Sequence, residues 1–501
     1  MRRPASIGVM PIIPFDRTSP VPFYQQIYEG VRAAITSGRL LPGQRLPSTR
    51  TLAEELRISR YPVFSAFDQL LQEGYIDGKV GSGTYVRYNI PDEVSRPIGA
   101  RRPALGTGTG PVPHPTASSE SGGATDAGPL AVSSPALDQF PSEIFARLIR
   151  RHLSAPPELL AYGDPAGYGP LREAVAEYLR TARAVDCDAS QVLIVNGSQM
   201  GLMISALALT TPEAAACVEE PGYPGAKRAL GIAGATIIPV DVDNDGIDVA
   251  ALARLDTPIA LVYVTPSHQY PLGMSMGLAR RLELLRWAAT ANAWIIEDDY
   301  DSEYRYSSRP VGSLQGMDSD GRVIYLGTFS EGLFPALRLG YMVVPRQLVA
   351  PFLRVRETLD LFSPTLYQLA VNDFLREGQF ARHLRRMRAI YLARRDALLA
   401  AIQEEAADVL TIGNADAGLH LVAFLGDGID DHDVAIRAAS LGLSPRALSS
   451  CYLGPLARSG LILGFGGSDE PVLRGAVRTL ASLIRNSEAH GGGDCSSSAR
   501  R

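Results

Sequence analysis

Apolar residues recur at helical spacing early in the chain. Ile27, Val31, Ala34 and Ile35 fall at i, i+4, i+7 and i+8, one buried face of a helix. Gly38 stops it, and Leu41-Pro42-Gly43 turns the chain. Ser48 or Thr49 can cap a second helix that points Leu52, Ala53 and Leu56 inward. A third helix repeats the spacing with Val63, Phe67, Leu70 and Leu71 and closes at Glu73-Gly74-Tyr75. Tyr75-Ile76 and Thr84-Tyr85-Val86 then flank the glycine-rich 79–83 as a small hairpin. Three helices and a glycine-tipped wing over 20–88 predict a winged helix-turn-helix.

The apolar period then disappears. Residues 92–134 are rich in Pro, Gly, Ala, Ser and Thr, the composition of a flexible linker. From 135 to 486 strand-like runs alternate with helical periods: Val192–Val195, Ala216–Val218, Ala260–Val264, Trp294–Glu297, Val323–Leu326 and Gly340–Val344. Such alternation predicts an α/β domain with a largely parallel sheet, helices on both faces and polar site residues at strand ends. Residues 487–501 read as a disordered tail.

Composition adds boundaries. A chain of 501 residues exceeds one core, so two or more domains are expected. A net charge of −5 gives no overall attraction to nucleic acid. Over 20–90, eight basic residues face six acidic ones, a net of +2, so charge alone carries no DNA-binding argument. The four cysteines lack C-x-x-C spacing, which argues against a zinc site or disulfide framework and suits a cytoplasmic protein. No apolar run reaches membrane-spanning length, so no membrane partner is expected. Lysine occurs only at Lys79 and Lys227.

The residues RLPSTRTLAEELRISR…QLLQEGYIDGKVGSGTYV resemble the DNA-binding domain of the GntR family at that family's spacing. The resemblance implies double-stranded operator DNA as a partner. By position, Arg45, Ser48, Arg50 and Arg60 would touch phosphates or base edges, and Lys79 and Gly81 would sit in the wing. Pro62 departs from the family pattern; by disfavouring α geometry at Tyr61 it should delay the third helix by one or two residues.

The stretch VIYLGTFSEGLFPALRLGYMVVP, 323–345, resembles the cofactor-anchoring segment of the fold-type I pyridoxal-phosphate enzymes, the aspartate aminotransferase superfamily. The likeness extends over 135–486 and implies an aminotransferase class I/II-like domain. In that family a lysine after the Thr-x-Ser turn forms a Schiff base with the cofactor; here the position is Glu331. By the same resemblance Ser198 and Gln199 open a phosphate-binding helix, Ser330 and Arg338 contact the phosphate, and Tyr223 stacks on the pyridine ring. His268 or Gln269 would line its edge, although a histidine there is as readily structural. Asp298 would pair with the ring nitrogen and Tyr300 with the ring oxygen. Tyr162 would reach the neighbouring subunit's phosphate, implying a homodimer.

Glu297, Asp298, Asp299 and Asp301 form an acidic run for which a metal site is the rival reading, but no histidine or cysteine partner is expected nearby. The family's substrate-carboxylate arginine corresponds to Ile462, and Lys227 is the one amine near the ring-stacking turn. A GntR-type head joined to such a body resembles the MocR subfamily of transcriptional regulators. That resemblance implies a DNA-binding regulator whose body dimerises and senses pyridoxal 5′-phosphate or another small-molecule effector. With Glu331 it would do so without a covalent bond, or with the cofactor lost. The alternative is a pyridoxal-phosphate-dependent aminotransferase with a fused DNA-binding head.

Overall fold

A computed structural model describes residues 15–37, 39–79, 83–87, 128–154, 156–211, 214–306 and 312–491. The chain divides into two compact units, one before residue 114 and one after it.

In the first unit the helical spacing becomes α1 (Phe23–Thr36), α2 (Thr49–Leu56) and α3 (Arg60–Gln72), with Ile27, Val31, Leu52, Val63, Phe67 and Leu70 in one core. Ser48 is the N-cap of α2: its Oγ accepts from the Thr51 N–H at 3.1 Å, satisfying a first-turn donor. Strands β1 (Ile76–Lys79) and β2 (Gly83–Val86) pair antiparallel as the hairpin.

Two expectations fail in this unit. Helix α3 begins at Arg60, so Pro62 delays nothing. It falls in the first turn, where backbone N–H groups have no intrahelical acceptor and a missing donor is harmless. Leu71 is exposed and Ala66 takes the buried place, because Val63, Ala66, Phe67 and Leu70 form the tighter i, i+3, i+4, i+7 face. Gly38 lies outside the described residues.

The second unit is built on an eight-stranded sheet of β3 (Val192–Val195), β4 (Ala215–Glu220), β5 (Thr236–Asp243), β6 (Gly246–Ile247), β7 (Ile259–Val264), β8 (Trp294–Asp299), β9 (Val323–Thr328) and β10 (Gly340–Val343). Its order is β3-β10-β9-β8-β7-β4-β5-β6. Strands β9, β8, β7, β4 and β5 are mutually parallel, whereas β10 runs antiparallel to both its neighbours. The run at 340–344 thus belongs to the sheet but opposes its direction, which a hydrophobic run cannot disclose.

Alternate side chains serve opposite faces, as strand geometry requires. Leu193 and Val195 pack with the helices Ser198–Leu209, Pro224–Ile232 and Arg346–Leu359, while Val192 and Ile194 join the opposite core with Gly169–Arg183 and Gln379–Glu405. A smaller antiparallel sheet follows: β11 (Thr411–Ile412), β12 (His420–Phe424), β13 (Arg446–Ala447) and β14 (Gly460–Gly464), in the order β11-β12-β14-β13.

Both outer boundaries shift. Residues 128–134, assigned to the linker, belong to the second unit. The Leu130 carbonyl accepts from Gly464 N–H at 2.9 Å, the Pro129 carbonyl accepts from Ser444 N–H at 2.8 Å, and Leu130, Ala131 and Val132 are buried. Three apolar residues beside prolines and glycines are too short a run to show a period, but they suffice to cover one strand end. The last helix, Glu470–Gly491, continues past the expected tail start at 487, since no breaker precedes the glycines at 491–493. Residues 88–127 and 492–501 lie outside the described residues.

Candidate functional site

In the first unit, Arg45, Arg50 and Arg60 are exposed, as is Ser48, whose Oγ is committed to its cap. Arg60 Nε donates to Thr49 Oγ1 at 3.1 Å, tying the first residue of α3 to the start of α2. Arg50 pairs with Glu54 at 3.1 Å in solvent, an ion pair that contributes little to folding. Arg45 lies against the wing, its guanidinium 2.8 Å from where a side chain on Gly83 would begin, so only glycine permits that approach. Lys79 closes β1, and Gly81 lies outside the described residues. Tyr61 is 76% exposed beside Arg60 and Phe64 is also exposed. Sequence reasoning passed over both, though each breaks the inward spacing of α3.

The second unit gathers its polar residues at the ends of β3, β4, β7, β8 and β9. After β3, Gly197 adopts φ +80° and opens the helix Ser198–Leu209, whose first N–H groups carry the positive end of the helix dipole. Arg338, in a left-handed conformation just before β10, lies over this end: its Nη2 donates to the Asn196 carbonyl at 3.2 Å. A Cβ on Gly197 would come within 3.1 Å of that guanidinium. In the turn after β9, Ser330 N–H donates to Thr328 Oγ1 at 3.0 Å and the two hydroxyls lie 3.0 Å apart. Ser198, Gln199 and Arg338 thus meet at a helix N-terminus suited to a phosphate.

Tyr223 and Gln199 are linked, the phenol donating to Gln199 Oε1 at 3.4 Å while Gln199 Nε2 donates to the Gly225 carbonyl at 2.9 Å. Tyr223 stands edge-on to Tyr270, ring centres 5.5 Å apart. Arg446 donates to the Tyr270 hydroxyl at 3.0 Å. It pairs across the small sheet with Ile462, so a guanidinium enters this aromatic wall from the strand beside the residue where the family arginine was sought. Sequence reasoning missed it because the register of β13 and β14 cannot be read from the chain.

Asp298, on β8, accepts from the buried Tyr263 hydroxyl at 2.8 Å through Oδ2, while Oδ1 has no partner. Burial pushes this carboxyl up to about 7 against the lowering effect of the Tyr263 bond, with Asp299 and Asp301 adding to the rise. An unpaired buried acceptor is costly, and a ring N–H is the donor that would satisfy it. Burial would also raise Asp299, but the Arg183 guanidinium at 2.7 Å and the Tyr325 hydroxyl hold it below the usual carboxylate value.

His268 is buried, its Nδ1 2.9 Å from both Asp301 Oδ2 and the Tyr300 hydroxyl, and its Nε2 has no partner. Burial, reinforced by Arg305, lowers it to about 3, so it is neutral. Gln269 is spent on loop ties, its Nε2 donating to the Pro221 carbonyl at 2.9 Å and the Tyr270 carbonyl at 2.8 Å. The expectation that no histidine accompanies the acidic run is overturned. His268, Asp301 and His420 place ligand-type atoms within 4.8 Å of one another, drawn from three distant segments. The histidine nitrogens there are partly engaged, His420 Nε2 lying 3.2 Å from the Pro271 carbonyl.

Glu331 follows Ser330 directly. Its side chain is buried, Oε2 has no partner, and its backbone carbonyl accepts from the Tyr304 hydroxyl at 3.2 Å. Burial, then Asp301 and Glu303, push the carboxyl up to about 8. The Lys227 amine is engaged elsewhere: Nζ donates to Glu220 Oε2 at 2.8 Å and to the Cys451 carbonyl at 2.6 Å. Tyr162 stands apart, 86% exposed, its ring edge-on to Phe362. Among the described residues no helix is long and apolar enough to cross a membrane.

With this geometry in place the comparisons are specific. Residues 23–86 match the bacterial regulatory proteins of the gntR family, and 129–435 match aminotransferase class I and II. The chain is 39% identical to the "Probable rhizopine catabolism regulatory protein MocR" of Rhizobium meliloti, over 95% of this chain and 96% of that one. It is 32% identical to the HTH-type pyridoxine biosynthesis transcriptional regulator PdxR of Corynebacterium glutamicum, over 92% of this chain and 95% of the relative. The second unit is similar to the crystal structure of Pyrococcus horikoshii kynurenine aminotransferase, with a TM-score of 0.67 and 28% identity, covering 73% of this chain and 92% of that one. The chain belongs to the MocR-type HTH transcriptional regulators, in which a GntR-family DNA-binding head is fused to a domain of the aminotransferase class I and II family.

Proposed function

We propose that the second unit holds a pyridoxal-type phosphate without a covalent bond, and that its occupancy changes how a homodimer of this chain grips operator DNA. The observation that carries the reading is a buried carboxyl, Glu331, beside a helix N-terminus, a guanidinium and a buried acceptor. Glu331 occupies the place that the aminotransferase resemblance gives to the Schiff-base lysine, amid residues that suit the rest of the cofactor.

The fit supports this. Ser198, Gln199 and Arg338 offer N–H donors and a guanidinium for a phosphate, with the Ser330 hydroxyl at the adjoining turn. Asp298 Oδ1 is a buried acceptor without a donor, the correct partner for a protonated ring nitrogen. Tyr223 supplies an aromatic face, and Tyr300 with neutral His268 supplies a phenol network for a ring hydroxyl. When bound, the cofactor would supply an electrophilic carbonyl and an electron-withdrawing ring. Among the described residues no amine is placed to use them: Glu331 cannot condense with a carbonyl, and Lys227 is held by Glu220. Its residues bind, orient and shield, which suits a sensor. Tyr162, exposed on one protomer, is the candidate contact to the partner's phosphate.

The test is DNase footprinting of the full-length protein on the DNA upstream of its own gene, with and without pyridoxal 5′-phosphate. A protected operator whose footprint or affinity changes with the vitamer supports the reading, and an absence of any preferred site refutes it. Visible absorbance and borohydride reduction complete the test. A reducible adduct is expected in the Glu331→Lys variant, and finding one in the unaltered protein would overturn non-covalent binding.

A further inference from the structure

We infer that this cradle selects the amine form of its ligand, pyridoxamine 5′-phosphate, over the aldehyde, with the Glu331 carboxylate as counter-ion to the aminomethyl group. The inference rests on the reading above that a pyridoxal-type phosphate binds here.

Glu331 is only 8% exposed, and its Oε2 has no hydrogen-bond partner. A buried carboxyl is normally matched by a cation or by several donors. Both charged groups that act on this one, Asp301 and Glu303, are acids. Arg183 pairs with Asp299 at 2.7 Å, Lys227 with Glu220 at 2.8 Å, and Arg338 donates to the Asn196 carbonyl at 3.2 Å, so none of these cations bonds to Glu331. Glu331 directly follows Ser330, whose turn adjoins the helix end beneath Arg338, and its charge is felt by Tyr223 and Tyr300 as well as by Tyr304 and Tyr391. The cradle is therefore short of one positive charge at one place.

Aldehyde and amine share the phosphate and the ring nitrogen, so the helix end, Arg338 and Asp298 contribute equally to both. They differ in the substituent that meets Glu331. The aldehyde oxygen is neutral and accepts one ordinary hydrogen bond from the protonated acid. The aminomethyl ammonium brings three N–H donors and a full charge to a carboxylate, and such charge-assisted bonds are about twice as strong as neutral ones. A preference of about tenfold or more for the amine follows. In an enzyme with lysine at this position the bias would run the other way, because the amine side chain captures the aldehyde.

Equilibrium dialysis of the full-length protein against each vitamer, at one pH, tests this. Lysine occurs only at Lys79 and Lys227, so non-specific capture of the aldehyde is small. The expected result is at least tenfold tighter binding of the amine, reduced to threefold or less in Glu331→Gln, which keeps the shape and loses the charge. Arg338→Ala should weaken both vitamers and leave their ratio unchanged. Equal affinities, tighter aldehyde binding, or a preference that survives Glu331→Gln would overturn the inference while leaving the cradle standing. If neither vitamer binds the unaltered protein, the reading of the cradle falls and the inference with it.

Discussion

Glu331→Gln should stabilise the second unit, increasingly so as pH rises. The carboxyl is raised from 4.5 to about 8 by burial, Asp301 and Glu303. Below the unfolded value both states hold the proton and the group has no effect. Between the two values the unfolded chain ionises while the folded site stays protonated, so the folded state loses stability with each pH unit. Above the folded value the loss levels off. A rise of about 3.5 pKa units corresponds to a ceiling of about 5 kcal/mol at pH 8 and above, and to about 2 kcal/mol at pH 6. Glutamine stays neutral throughout, so the variant escapes this slope. Asp301 and Glu303 titrate in both proteins but lose their coupling to Glu331 in the variant, so the separation of the curves measures Glu331 together with that coupling. Both tryptophans, Trp287 and Trp294, belong to the second unit, so intrinsic fluorescence during urea unfolding reports on that unit without the head. Measured from pH 5 to 9 without ligand, the two proteins should agree to within about 1 kcal/mol at pH 5, the scale of one exchanged hydrogen bond, and separate steadily towards pH 8. Parallel curves across that range would show that Glu331 is solvated or paired, and the account of the site would fail.

Three further outcomes follow. Gly197→Ala places a Cβ in a left-handed backbone 3.1 Å from the Arg338 guanidinium, so it should cost about 1–2 kcal/mol in urea unfolding and weaken vitamer binding by dialysis. Lys227→Ala removes the cation from the buried Glu220 carboxylate but leaves its bonds from the Leu453 and Gly454 N–H groups, so it should cost about 3 kcal/mol yet leave borohydride trapping unchanged, since this amine is not the hook. Arg50→Ala and Arg60→Ala should each weaken operator binding about tenfold and reduce its salt dependence by about one ion, by electrophoretic shift, with the melting temperature unmoved.

The sequence carried the elements wherever one face or both faces of a segment are uniformly buried. Ile27 to Ile35 and Val192 to Val195 are legible because burial alone dictates their residue types. Gly197-Ser198 does open a helix and Asp298 does lie at the end of β8, but the residues alone left a plain helix cap and a metal site as rivals, and only the family resemblance singled out a cofactor role. What escaped depends on pairing between distant segments. Arg446 reaches Tyr270, and His268 reaches Asp301, only because strands and loops far apart in the chain are brought together. Pro62 was misjudged for the opposite reason. Its intrinsic penalty is real, but the penalty vanishes in a first turn, and the start of α3 is set by Ser59 and Arg60.

The attachment of residues 128–132 has a mechanical meaning. Among the described residues, the chain entering the second unit is first tied to its sheet where the Pro129 and Leu130 carbonyls accept from Ser444 and Gly464. A load along the chain therefore enters the small sheet at the end of β14, the strand paired with the one that carries Arg446. The covalent path from the DNA-binding end thus comes ashore within two strands of the aromatic wall around Tyr270.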